Sequence, residues 1–110
     1  TFKPFVYAAA INQLKLSPCD EFPNIPYTIP KGKYGIPKAW TPENASRKYG
    51  GMLSLKDGLA GSVNTMSARL IDMVGPENVV RLATSAGIES HIDANPAIAL
   101  GAVDLSFGSL

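Results

Sequence analysis

Six of the nine prolines fall between Pro18 and Pro42 (Pro18, Pro23, Pro26, Pro30, Pro37 and Pro42). That density removes backbone donors and fixes φ at short intervals. It forbids a regular helix there and favours an extended, turn-rich connection. An irregular stretch this long inside a compact domain is uncommon, and is more often functional than filler. Regular structure must therefore flank it, and 110 residues leave room for one domain at most.

Before the prolines, Phe2, Phe5, Val6, Ala9, Ala10 and Leu14 recur at three- and four-residue spacing, which predicts a helix over about 1–15. Pro4 is compatible with its first turn, where the missing N–H has no intrahelical partner. Thr41-Pro42 would cap a short helical turn. Ser54-Leu55-Lys56-Asp57 resembles a capping box, with Asp in place of Glu or Gln, opening a short helix that ends near Gly61. Ser62-Val63-Asn64 reads as a turn before a helix over about 65–74, with Met66, Leu70 and Met73 or Val74 inward. Gly75-Pro76 separates it from a helix over about 76–86, offering Val79, Val80, Leu82, Ala83 and Ala86 for burial. Gly87 is a good left-handed stop. The stretch 88–105 reads as loop and turn, and Ser106 as the cap of a helix running past Leu110. No segment reads as a strand, so the expected fold is mostly α, several short helices around a long Pro-rich loop. Both ends read as interrupted helices.

Composition narrows the function. A net charge of +1 argues against a dedicated nucleic-acid binder, and 45% hydrophobic residues argue against a disordered tail. No run approaches the ~18 apolar residues that span a bilayer. Cys19 is the only cysteine, so no intrachain disulfide forms.

Three features carry chemistry. Lys3, at the head of the first helix and flanked by Phe2 and Phe5, faces the positive end of the helix dipole. Dipole and desolvation both lower a lysine pKa towards the range of a general base. Ordinarily such a lysine lies on the exposed side of its helix. Ser62 and Asn64 share a turn, where side chains reach a common site; capping the following helix is their plainer role. The loop 31–49 interleaves Lys31, Lys33, Lys38, Arg47 and Lys48 with Tyr34, Trp40 and Tyr49. With so little net charge, it reads as a solvated loop with a few packed aromatics rather than a nucleic-acid surface. His91 and Asp93 are too few for a metal site.

Thr-Phe-Lys-Pro-Phe-Val-Tyr-Ala-Ala-Ala-Ile at 1–11 resembles the catalytic helix of penicillin-binding protein transpeptidase domains, most closely of the bifunctional class A type. That helix opens Ser-Thr-Phe-Lys-Pro in the family, and Thr1-Phe2-Lys3 matches the last three residues of its S-x-x-K motif. Trp40-Thr41-Pro42-Glu43-Asn44 and Tyr49-Gly50-Gly51 resemble a family loop. Leu55–Thr65 resembles the approach to the second motif, S-x-N, with Ser62 and Asn64 in the motif positions. Ala99–Ala102 and Val103–Ser106 resemble the stretch that follows.

The resemblance implies the helical part of the α/β serine transpeptidase (β-lactamase-like) fold, with residues 1–110 a partial penicillin-binding domain. The nucleophilic serine would immediately precede Thr1, and the third motif, Lys-Thr-Gly or Lys-Ser-Gly on a strand, would lie beyond Leu110. Both are outside the chain, which is therefore expected to be inactive alone. Lys3, Ser62 and Asn64 are the implied catalytic residues. The implied partners are peptidoglycan stem peptides, β-lactam antibiotics and the rest of the transpeptidase domain, with no nucleic acid and no metal or organic cofactor. The implied location is the extracytoplasmic face of the cytoplasmic membrane, through an anchor outside this chain. A non-catalytic helical interaction module on the same scaffold, and a serine β-lactamase or penicillin sensor, remain alternatives.

Overall fold

The computed structural model describes residues 3–87 and 95–96. The expectations for 97–110, for His91 and Asp93, and for Ser106 lie outside these. The order is α1 (Lys3–Leu14), β1 (Glu21–Pro23), a single 3-10 turn (Lys33–Gly35), β2 (Met52–Ser54), α2 (Leu55–Ala60), α3 (Asn64–Val74) and α4 (Pro76–Ser85).

α3 is the central element. Thr65, Met66, Ser67, Ala68, Leu70, Ile71 and Val74 are all buried, so it is covered on most of its circumference. α1 packs chiefly against it, and also against α4 and α2. The buried side of α1 is Lys3, Val6, Tyr7, Ala9 and Ala10, while Phe5 and Leu14 are only half-buried. Of the residues expected inward on α3, Met66, Leu70 and Val74 are buried and Met73 is exposed. On α4, Val79 and Ala83 enter the core, Val80 and Leu82 flank it, and Ala86 is exposed.

The expected helix boundaries hold closely because their caps are chemical. Ser54 caps α2, its hydroxyl accepting from the Asp57 amide. Gly75, at φ 88° and ψ 134°, both ends α3 and opens α4, with Pro76 at the first helical position. An L side chain rarely adopts that backbone conformation.

Two expectations fail. The chain does contain strands: β1 and β2 pair antiparallel, Glu21 opposite Ser54 and Pro23 opposite Met52. Three residues are too few to show a period-2 pattern, and Pro23 is tolerated because neither strand of a two-stranded pair is central. A lone bridge also joins Ile29 to Trp40. Thr41-Pro42 opens no helical turn; the Thr41 hydroxyl instead lies 2.7 Å from that of Thr28. Residues 28 and 41 are the next pair outside the Ile29–Trp40 bridge, which holds this part of the loop extended.

The Pro-rich excursion is fastened to the helices by Asp72 of α3. Its carboxylate pairs with Lys33 at 2.8 Å and accepts from the hydroxyls of Tyr27 and Tyr34. Burial alone would push this carboxyl up. The hydrogen bonds from Lys33, Tyr27 and Tyr34 outweigh it and hold the group below its ordinary range. The same surroundings, burial first and then the carboxylate, push both tyrosines up to about 12. Thus Lys33 and Tyr34 of the basic, aromatic loop are spent on packing. Lys31, Lys38, Arg47 and Lys48 are exposed.

Candidate functional site

Lys3 is 7% exposed, so the plainer expectation of a solvated lysine does not hold. It lies three and four residues before Val6 and Tyr7, on the same buried side of α1. Its Nζ donates to the Ser62 carbonyl oxygen at 2.8 Å and to Asn64 Oδ1 at 3.0 Å. Burial lowers its pKa, because desolvation disfavours the ammonium.

Ser62 and Asn64 arrive from the α2–α3 junction. Ser62 adopts φ 50°, a left-handed conformation uncommon outside glycine, and is exposed. Its amide donates to the Leu59 carbonyl, and its own carbonyl receives Lys3. Asn64 is already the first residue of α3, rather than part of the preceding turn. The cap position belongs to Val63, which provides no side-chain hydrogen bond. Neither Ser62 nor Asn64 is therefore used as a cap. Asn64 spends its amide differently: Oδ1 accepts from Lys3, and Nδ2 donates to the Glu43 carbonyl at 2.7 Å.

The structure thus brings Lys3, Ser62 and Asn64 together from segments about sixty residues apart. It adds a group that sequence reasoning left unassigned. Asn44, buried in the loop, donates through Nδ2 to Asn24 Oδ1 and to the Lys48 carbonyl, each at 2.9 Å. Its Oδ1 accepts from the Thr65 amide at 3.0 Å, and the Thr65 hydroxyl donates to Asn24 Oδ1 at 2.7 Å. The first turn of α3, lacking a local cap, receives one from a residue 21 positions away. Periodicity offers no signal for this. A buried amide in a proline-rich loop makes its bonds across the fold, not along the chain.

Among the described residues, no group of three or more His, Cys, Asp or Glu converges as a metal site would require. No helix there is long and apolar enough to cross a membrane. Cys19 is free and exposed.

A helical layer brings a desolvated lysine up to a Ser-x-Asn segment, and the chain belongs to the penicillin-binding protein transpeptidase domain family. The family profile matches residues 1–97. Among its relatives, penicillin-binding protein 1A of Neisseria flavescens is 33% identical over 103 residues, covering 93% of this chain and 13% of that protein. The protein of the same name from Neisseria gonorrhoeae is 36% identical over 76 residues, covering 68% of this chain and 9% of its own length. The crystal structure of penicillin-binding protein 1A from Haemophilus influenzae superposes with a TM-score of 0.77 at 30% identity, over 90% of this chain and 14% of that one. The chain therefore corresponds to a small part of each relative, and its helices are the helical part of the transpeptidase fold.

Proposed function

We propose that these residues serve a serine D,D-transpeptidase that cross-links peptidoglycan stem peptides and is acylated by β-lactams. The nucleophile is a serine immediately preceding Thr1 in a longer polypeptide. The carrying observation is the pairing of buried Lys3 with the Ser62 carbonyl and Asn64 Oδ1. A neutral amine has two N–H donors and one lone pair. These two acceptors take both hydrogens, which leaves the lone pair for a serine proton; an ammonium would keep a third donor to satisfy. Burial favours the neutral form.

The family resemblance supplies the reaction, and the groups present suit its steps. Lys3 Nζ takes the serine proton as the serine oxygen attacks the carbonyl of the penultimate D-Ala. The peptide bond breaks, the Ser62 hydroxyl gives its proton to the departing D-Ala amine and takes one back from the Lys3 ammonium, and an acyl-enzyme remains. Asn64 holds Lys3 and hydrogen-bonds the substrate amide. An amine of a second stem peptide attacks the acyl group and loses a proton to Lys3, which returns it to the departing serine oxygen, so the cross-link forms and the serine is freed. A β-lactam acylates the same oxygen, and its ring-opened product stays attached. The site works at the outer face of the cytoplasmic membrane, anchored by a segment outside this chain and completed by the rest of the transpeptidase domain.

The test is covalent labelling of the full-length protein with fluorescent penicillin, followed by peptide mapping. The expected adduct lies on a serine directly before Thr1 and disappears in Lys3→Ala. The isolated 110-residue chain should show no more label than a heat-denatured control. A residue other than serine at that position, or a parent that never labels, would sink the reading. Rapid penicillin hydrolysis in place of a lasting adduct would make it a β-lactamase.

A further inference from the structure

Asn64 carries an oxygen and a nitrogen at nearly equivalent positions, and only its neighbours decide which one Lys3 meets. The Glu43 carbonyl only accepts, so it fixes Nδ2 on its own side at 2.7 Å. Oδ1 is thereby turned towards Lys3 Nζ. The next residue along, Asn44, is held on three sides: by Asn24, by the Lys48 carbonyl and by the Thr65 amide. The loop therefore touches the start of α3 twice, once at the Asn64 side chain through the Glu43 carbonyl and once at the Thr65 amide through Asn44.

We propose that Asn44 is a positioning residue for the Lys3–Asn64 pair, locking the loop carbonyl and the start of α3 so that Asn64 shows its oxygen to the lysine. The role of that pair in acylation rests on the transpeptidase reading; the orientation of Asn64 does not. Without the Asn44 side chain, the Thr65 amide loses its acceptor, and the Glu43–Asn44 peptide keeps only its long bond to the Tyr49 hydroxyl at 3.3 Å and the Arg47 amide on the Asn44 carbonyl. Asn64 is then free to turn or move, and Lys3 loses one of its two acceptors. Misplacement of a reacting group by about 1 Å is enough to slow chemistry by orders of magnitude.

The test uses full-length protein and fluorescent penicillin over a range of concentrations, separating non-covalent affinity from the acylation rate constant. In Asn44→Ala the rate constant should fall roughly 10- to 100-fold, with half-saturation and the final amount labelled unchanged. A purely structural role would do the reverse, lowering the final amount while the remaining folded molecules react at the wild-type rate. That outcome overturns the proposal. If Asn44→Ala does not fold, Asn44→Asp replaces it. Its carboxylate confronts the Asn24 and Lys48 oxygens, and the same slowing is expected; a wild-type rate overturns the proposal equally. If wild-type protein never labels, the transpeptidase reading fails by itself, and crystal structures of the variants then decide the positioning role. Asn64 Oδ1 displaced from hydrogen-bond reach of Lys3 supports it, and an unmoved Asn64 overturns it.

Discussion

Lys3 Nζ stands 3.0 Å from Asn64 Oδ1, a contact spanning 61 positions of chain. The partner is an uncharged amide, so the lysine is held in place without an opposite charge to stabilise its ammonium. Burial remains the cause that moves its pKa, and moves it down.

Replacing Asn64 by Asp keeps an oxygen towards Lys3 and adds the missing charge, while giving up the hydrogen bond to the Glu43 carbonyl. A carboxylate beside the amine favours the ammonium and raises the lysine pKa. In the full-length protein, Asn64→Asp should move the pH for half-maximal acylation by penicillin up by roughly 1–3 pH units and slow the reaction at pH 7. An unchanged profile would show that Lys3 is not the titrating base.

The Asp72 clasp should govern how stability depends on pH. Its carboxyl is depressed in the fold, so its contribution is present above the unfolded pKa of about 3.9 and is lost as pH falls through the lower folded value. Tyr27 and Tyr34 are raised to about 12, so their contribution is full below about pH 10 and is lost as pH rises through about 12. Asp72→Asn should cost about 1–3 kcal/mol at pH 7 and flatten the acid limb of a Tm–pH curve. Most of that loss comes from the tyrosine hydroxyls, because the Lys33 side chain is 45% exposed and its ion pair is screened.

Gly58 sits where a Cβ would meet the Tyr7 hydroxyl at 3.0 Å and Met66 Cγ at 3.1 Å. That hydroxyl is buried beside Ser67 without a well-formed hydrogen bond among the described residues. Tyr7→Phe should therefore be neutral or stabilise by about 1 kcal/mol. Gly58→Ala gains about 1 kcal/mol of helix propensity but overpacks by about 1–3, so a net loss is expected. The double variant should recover part of it, and urea midpoints of the four proteins give the coupling.

Gly75 provides the break between α3 and α4 in a conformation closed to side chains. Gly75→Ala meets nothing closer than Asn78 Nδ2 at 3.6 Å, so its cost is backbone strain rather than a clash. A loss of about 1–3 kcal/mol by thermal or urea unfolding is expected. A change below about 0.5 kcal/mol would mean that the α3–α4 joint relaxes.

The helices were legible because their signals are local. Ser54, Gly75-Pro76 and the apolar spacing of α1 and α3 each act within a turn or two. The proximity of Lys3 to Ser62 and Asn64 had no local signal and came only through resemblance to a family whose motifs occur in this order. What stayed hidden was long-range or very short. Asn44 bonds to residues 4, 20 and 21 positions away, and Asp72 collects Tyr27, Lys33 and Tyr34 across the fold. The strands were three residues each, below the length at which alternation exists. Tyr7 was also missed from the buried side of α1, since an aromatic with a hydroxyl fits either face.

The β1–β2 pairing gives the Pro-rich excursion a closed neck. Just inside it, the Asn24 amide donates to the Gly51 carbonyl, and the Gly50 amide to the Asn24 carbonyl. The chain leaves and re-enters the helical body at one place and is pinned again by Asp72. Exposed Pro37–Ala39 lies between these anchors and Asn44, bounded by buried Ile36 and half-buried Trp40. Closing a loop grows costly only slowly with length, by about 0.6 kcal/mol for each doubling. A change of length confined to Pro37–Ala39 should therefore leave the residues around Lys3 in their places, since the neck and the Asp72 anchor both lie outside that stretch.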